Sequence, residues 1–188
     1  FTFPKMIEFL RNETPEICIL QEVLSMPEYY QNEILKDKLN FEYDFYAPKN
    51  TLNDMKMGNL ILSSNPISII YSGLYFQVIE TNTSNKNVTI INVHFPSDIT
   101  CTSQSLEIDK LINVIKDKDN ILVVGDFNLP YWSSSIKKLN KELQIVSTSS
   151  YTYPSFYPLV KFDYCFYRNL ENVKLHIPYE IKYSDHLP

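Results

Sequence analysis

The chain has 188 residues, 44% hydrophobic and 21% charged, which suits one globular domain with a sizeable core and argues against disorder. Its formal net charge is −5 and its pI about 5.2, and Lys/Arg pairs such as Lys137-Lys138 are short and broken by acids. That balance weakens a long polynucleotide held mainly through its phosphates without excluding it, and it suits a metal site of several carboxylates. No apolar run approaches the ~20 residues that span a bilayer. Phe1-Thr-Phe-Pro4 lacks the basic-then-apolar pattern of a signal peptide, so the expectation is a soluble domain of unassigned compartment. Cys18, Cys101 and Cys165 are odd in number and far apart, with no zinc-like spacing, and read as bystanders.

From the N-terminus, Phe1 to Arg11 reads as a short helix, with Pro4 tolerated in its first turn and Met6, Phe9 and Leu10 as its apolar stripe. Thr14-Pro15 ends it. Glu16 to Leu20 is a buried strand that ends in Gln21 and Glu22. A carboxylate there costs several kcal/mol unless it is paired, metal-bound or solvated, which favours a functional Glu22 over a structural ion pair. Ser25-Met-Pro-Glu28 has the form of a capping box and predicts a helix through about Leu39. Phe41 to Tyr46 is a short strand or irregular run, and Asn50 to Met57 a polar loop. Gly58 to Ser63 is a strand, Ser64-Asn65-Pro66 a turn, and Ile67 to Tyr71 and Leu74 to Glu80 are further strands. Asn82 to Asn87 reads as a hairpin turn before the strand Val88 to His94, which ends in a histidine.

Residues 102 to 117 carry Leu106, Leu111, Ile112, Val114 and Ile115 among charges, as an amphipathic helix does. It leads into Ile121-Leu-Val-Val-Gly125-Asp126-Phe127-Asn128, whose first four residues predict a strand buried on both faces. Extended chain puts Asp126 and Asn128 on one side and Phe127 on the other. Gly, Asp and Asn are also turn formers, so a plain turn competes with a ligand-binding edge. Pro130 starts a helix with Trp132, Ile136 and Leu139 on one face. Tyr151 to Pro154 is a loop, and Phe162 to Tyr167 and Val173 to Ile177 are strands, with His176 on the exposed face of the second. No repeat or linker divides residues 1–188, so a single domain is expected. Hairpin-linked strands mixed with strand–helix–strand crossovers predict mixed sheets with helices outside.

Several strand ends therefore offer groups that ionise or bind metal: Glu22, His94, Asp126 with Asn128, and Asp185 with His186. Together with Gly58 to Pro66, Phe162-Asp-Tyr164 and Ile19-Leu-Gln-Glu22, these segments resemble the endonuclease/exonuclease/phosphatase superfamily, the deoxyribonuclease-I-like phosphoesterases. They occur in the family's order over residues 16 to 188. The resemblance implies a four-layer α-β-β-α sandwich of two mixed sheets with the site at one edge. It implies a Mg²⁺-dependent phosphoester hydrolase, with Mn²⁺ as a substitute ion. Glu22 would bind the metal and Asp185 would help hold a metal or the site's geometry. Asp126 would orient or deprotonate the attacking water, and Asn128 would hold a phosphate oxygen. His186 would sit against the scissile phosphate with Asp163 as its partner, and His94 would be a second histidine near the phosphate or leaving group. Asn59 would be a further polar contact to substrate.

A nuclease acting on nucleic acid is the favoured reading, as a monomer with no obligate protein partner. A phospholipid or small phosphoester of the sphingomyelin or inositol-phosphate type competes with it. A phospholipase would add an exposed apolar loop; the nearest candidate, Tyr151 to Val160, also fits a core-packing strand. A non-catalytic scaffold is the alternative of another class. No residue before Phe3 supplies the asparagine of the family's usual first strand, and Pro188 precedes its usual last one. Both read as truncation, since the intervening motifs are intact.

Overall fold

The computed structural model describes all residues except 1, 53, 84–85, 99 and 148–149. A four-stranded sheet has the order β2-β1-β4-β3, and a six-stranded sheet the order β5-β6-β7-β8-β10-β9. The first comprises β1 (Ile17–Met26), β2 (Tyr29–Tyr30), β3 (Tyr43–Leu52) and β4 (Met55–Ser63). The second comprises β5 (Ile67–Ser72), β6 (Phe76–Thr83), β7 (Lys86–His94), β8 (Ile121–Asp126), β9 (Gln144–Ile145) and β10 (Asp163–Arg168). The helices are α1 (Phe3–Glu13), α2 (Gln31–Leu39), α3 (Thr102–Ile115) and α4 (Ser134–Glu142).

Alternation along the strands builds the layers. In β4, Leu60 and Leu62 face Phe3, Met6, Leu10 and Leu35 of α1 and α2. Ile61 between them faces the other way, toward Ile79 and Ile90 of the second sheet. In β8, Ile121 and Val123 face Ile108, Leu111 and Ile136 of α3 and α4, while Leu122 joins the inter-sheet core. Three apolar seams thus separate four layers, as expected. The parallel pair is β7–β8, and α3 supplies its crossover. The mixed character expected of both sheets is confined to the larger one, because every pairing in the smaller is antiparallel.

Polar side chains also cross the inter-sheet seam. Gln21 Nε2 donates to Asn92 Oδ1 at 2.7 Å, and Asn92 Nδ2 donates to the carbonyls of Leu20 and Leu60 at 3.0 and 3.2 Å and to Gln77 Oε1 at 3.2 Å. Gln77 Nε2 continues to the carbonyls of Phe45 and Asn59. Asn92 and Gln77 are fully buried, so each hydrogen bond met here avoids an unsatisfied group costing ~1–3 kcal/mol.

Several elements depart from the sequence reading. The capping-box pattern at Ser25 is a hairpin turn: Ser25 and Met26 stay in β1 and pair with Tyr30 and Tyr29, and the helix starts only at Gln31. Cross-strand pairing overrides the local cap. The helix expected from Pro130 starts at Ser134, because the Ser133 hydroxyl accepts from Ile136 N at 3.1 Å. Trp132 is left outside it, 59% exposed. In α3 the buried face is Gln104, Ile108, Leu111 and Ile115, and Leu106 faces solvent; counting apolar residues missed the phase of the turn. The loop expected over Asn50 to Met57 is largely the paired ends of β3 and β4, up to Leu52 and from Met55, with Asn53 outside the described residues. Residues 173 to 177 form no strand, although His176 is exposed as expected. The short β9 was not foreseen. The helix expected from Phe1 is α1; Phe1 itself, and the tip of the hairpin expected over Asn82 to Asn87 at Ser84-Asn85, lie outside the described residues.

Candidate active site

The strand ends converge at one edge. In the ladder, His94 of β7, Asp126 of β8 and Asp163 of β10 are register partners, and side chains directly opposite on adjacent strands share a face. Gly125 makes this possible. It has φ +136° and pairs with Val93, and a Cβ there would overlap the Val93 carbonyl oxygen. Phe127 turns into the core, edge-on to Phe95 and Tyr164 with centroids 5.3 and 5.5 Å away. The segment is at once a turn and a site: Asp126 Oδ1 accepts from Asn128 N at 2.7 Å while Asn128 adopts φ 49°. Asn128 Nδ2 donates to Asp126 Oδ2 and to the Phe95 carbonyl, both at 2.9 Å. Both amide protons are therefore committed, and Asn128 holds the Asp126 carboxylate.

Glu22 comes from the other sheet. β1 does not stop at Leu20, as its sequence suggested. It runs on through a bulge in which Gln21 and Glu22 together oppose Asn59, between the pairs Leu20–Leu60 and Val23–Gly58. Glu22 takes φ 57°, a left-handed conformation costly for a residue with a Cβ. Its carboxylate stands 3.7 Å from His94 Nε2 and stays well exposed. Asn59 is buried, and its Oδ1 has no hydrogen-bond partner among the described residues.

His186 arrives on the C-terminal segment. Leu187 N donates to the Thr152 carbonyl at 2.9 Å, Ser155 N to the Asp185 carbonyl at 2.6 Å, and the Tyr153 ring packs on the imidazole at 4.8 Å. His186 Nδ1 lies 2.8 Å from Asp163 Oδ2, and its Nε2 lies 3.9 Å from Asp126 Oδ2. Asp185 is exposed, with Oδ1 accepting from Ser184 Oγ at 3.1 Å. The structure thus brings Glu22, His94, Asp126, Asn128, Asp163 and His186 together. Asp185 flanks them, and Asn59 lies across from the Glu22 bulge.

Sequence reading missed Lys49. It is the unpaired residue of a second bulge, in β3 between the pairs Pro48–Gly58 and Asn50–Met57. Its Nζ donates to the His94 carbonyl at 3.2 Å and lies 5.1 Å from the Tyr75 ring centroid. The only sequence signal is Gly58, where a Cβ would overlap the Ala47 carbonyl oxygen, so that β3 must kink against it.

These neighbours divide the site electrically. Burial draws the His186 ring down, but the hydrogen bond and charge of Asp163, with Asp126 and Asp185, outweigh it and hold the ring up at about 9. Burial and the Asp163 charge push Asp126 up to about 7, against the pull of His186 and the Asn128 N–H. Burial, then the charges of Lys49 and His186, lower His94 to about 4. Near neutral pH the site therefore pairs an imidazolium at 186 with a neutral imidazole at 94.

Donor chemistry fits a hard divalent cation. One ligand atom each of Asp126, Asp163 and His186 lie within 4.8 Å of one another. The charged His186 ring with Nδ1 on Asp163 is a poor ligand, since an ion there must displace its proton. Glu22 offers a carboxylate open to solvent, the type of donor suited to an ion that keeps several waters.

A four-layer sandwich with carboxylates and histidines at the ends of its strands is the plan of a deoxyribonuclease-I-like phosphoesterase. The family model "Endonuclease/Exonuclease/phosphatase family" matches residues 4–186, and the chain belongs to that family. Among curated proteins, no sequence matches it. Among solved structures it is similar to an endonuclease/exonuclease/phosphatase family protein from Leptotrichia buccalis C-1013-b, with TM-score 0.77, 12% identity and coverage of 99% of this chain and 90% of that one. It is similar to a beta toxin from Staphylococcus aureus, with TM-score 0.70, 14% identity and coverage of 100% and 91%. It is also similar to the endonuclease domain of TRAS1, a telomere-specific non-LTR retrotransposon, with TM-score 0.69, 14% identity and coverage of 97% and 87%. At these identities the likenesses show the fold. The family is one of phosphoester hydrolases and nucleases that commonly use a divalent metal.

Proposed function

We propose that the protein is a Mg²⁺-dependent phosphodiesterase, with nucleic acid as the favoured substrate. The observation that carries this reading is the His186–Asp163 pair set 3.9 Å from Asp126, a fixed cation beside a raised carboxylate. In-line attack on a phosphodiester gathers negative charge on the phosphoryl and leaving oxygens, and preorganised positive groups there lower the barrier most. His186, protonated and held by Asp163, offers Nε2–H to that charge. Asp126, oriented by Asn128, takes the proton of the attacking water. Asn128 reaches a phosphate oxygen only by releasing one of its two present acceptors. His94, neutral, stands beside Glu22 and Asp126 as a hydrogen-bonding partner for the leaving group. Glu22 would hold the metal, which when bound polarises the phosphoryl oxygens, and Asp185 adds negative charge next to His186. Asn59, buried with an unpartnered oxygen, is a polar contact for substrate or its water.

One observation favours the second reading, a phospholipid. The segment around Tyr151 to Val160 closes on itself through a Tyr153–Val160 bridge, and its tip is solvent-facing: Phe156 is 74% exposed, Tyr157 67% and Leu159 60%. These three side chains therefore do not pack in the core, while Thr152 and Ser155 anchor the segment in the interior and its base touches His186 through Tyr153.

The deciding experiment is nicking of supercoiled plasmid beside hydrolysis of phosphatidylcholine vesicles, with Mg²⁺ and with chelator, and with Asp126→Ala as control. Nicking that needs both Mg²⁺ and Asp126 is expected. Hydrolysis of vesicles alone transfers the reading to phospholipid. Neither activity from a protein with no Mg²⁺-dependent rise in melting temperature leaves a scaffold.

A further inference from the structure

Lys49 is the site's one residue that the reaction above leaves without a task. Its bulge aims a long cationic side chain back into the sandwich, where it is half-buried. Burying an ammonium is costly unless it gains partners, and this one has three N–H donors to satisfy. Among the described residues its one hydrogen bond is to the His94 carbonyl, and the Tyr75 ring offers only its face. The charges of Glu22 and Asp126 act on it, yet among the described residues no carboxylate is ion-paired with it. A lysine that merely balanced those acids would close onto them. Lys36 does so on Asp44, and Lys118 on Glu80, each at 2.6 Å. Lys49 is held back instead, its further donors without a partner among the described residues, at a place where the proposed reaction brings a phosphate.

We propose that the Lys49 ammonium binds a non-bridging oxygen of the substrate's phosphate. It is then a substrate-binding group from the four-stranded sheet, complementing His186 from the six-stranded side. The inference rests on the phosphodiesterase reading and extends it: the phosphate is held by one cation from the four-stranded sheet and one from the C-terminal segment that packs beside the six-stranded sheet, and the sandwich must be intact to bind it.

The test is calorimetric titration of the full chain with inorganic phosphate, with and without Mg²⁺. It uses the wild type, Lys49→Met, Lys49→Gln, Lys49→Arg and His186→Gln, each first shown to melt cooperatively. Loss of a charge-assisted hydrogen bond is expected to weaken phosphate binding about tenfold or more in Lys49→Met and Lys49→Gln. Lys49→Arg is expected to keep most of it, and the Mg²⁺-induced rise in melting temperature is expected to persist in all three. Should Lys49→Met fail to fold, Lys49→Gln, which keeps donors for the His94 carbonyl, carries the comparison. Unchanged phosphate binding in the neutral variants, with binding weakened in His186→Gln, overturns the role of Lys49 and leaves the site reading standing. Tighter Mg²⁺ binding with unchanged phosphate binding overturns it in favour of simple charge balance. A wild type that binds no phosphate under either condition overturns both.

Discussion

Asp163 acts on two groups at once. Its charge raises His186 through a 2.8 Å hydrogen bond, and it also raises Asp126, its register partner across β10 and β8. On the roles proposed above, hydrolysis would need Asp126, at about 7, ionised and His186, at about 9, protonated, so a bell-shaped profile between those values is expected. Asp163→Asn keeps a hydrogen-bonding oxygen for the ring and removes the charge. Both limbs are then expected to move to lower pH, the alkaline one by about a unit or more. An alkaline limb that stays in place would remove Asp163 from this role. Stability follows the same linkage. The folded His186 value lies above the ordinary 6.5, so the pair stabilises fully below about pH 6.5 and its contribution is lost as pH rises through about 9. The melting-temperature gap between wild type and Asp163→Asn should therefore be wide near pH 6, where the ring is charged and carboxylates are ionised, and narrow above pH 9. Asp163 was legible through the family resemblance, as the partner of His186. Lys49 was not, since nothing local distinguishes it from a solvated lysine.

At the scale of elements, two irregularities position the chemistry. The bulges of β1 and β3 flank β4 at the level of Gly58 and Asn59, and each brings one side chain to the candidate site, Glu22 and Lys49. Extended strands were readable from their apolar runs. Bulges were not, because an inserted residue follows from pairing with a neighbour and leaves no period in its own strand. The same limitation turned the Ser25 segment from an expected helix start into a hairpin. Gly125 was legible as the end of a strand, but the approach of the Val93 carbonyl was hidden. Gly125→Ala puts a Cβ onto that oxygen at φ +136°, and a loss of about 1–3 kcal/mol from backbone strain alone is expected, read by thermal melting. Gly73→Ala is the contrast, since the nearest atoms a Cβ there would meet belong to the Tyr71 side chain, which can turn aside, and not to backbone. Equal melting temperatures for the two variants would refute the tight β7–β8 approach as the reason for Gly125.

In the whole molecule the residue pattern alone gave mixed sheets with helices outside, and the four layers came with the family resemblance; in the structure, strands such as β4 and β8 alternate between two apolar seams. What the sequence could not display is that the site belongs to neither sheet. Glu22 and Lys49 come from one, and His94, Asp126 and Asp163 from the other, so the spacing between them is set by the inter-sheet seam and its Gln21–Asn92–Gln77 amides. Those amides work like a spacer between two plates: the halves can keep their own ladders and helices while their faces separate. Loosening of that kind would end turnover before secondary structure is lost, since local opening is easier than global unfolding. Phosphodiester hydrolysis is therefore expected to fail at lower urea than far-ultraviolet circular dichroism, and Asn92→Leu should widen the gap. Coincident transitions would mean that the two plates part only when each of them unravels.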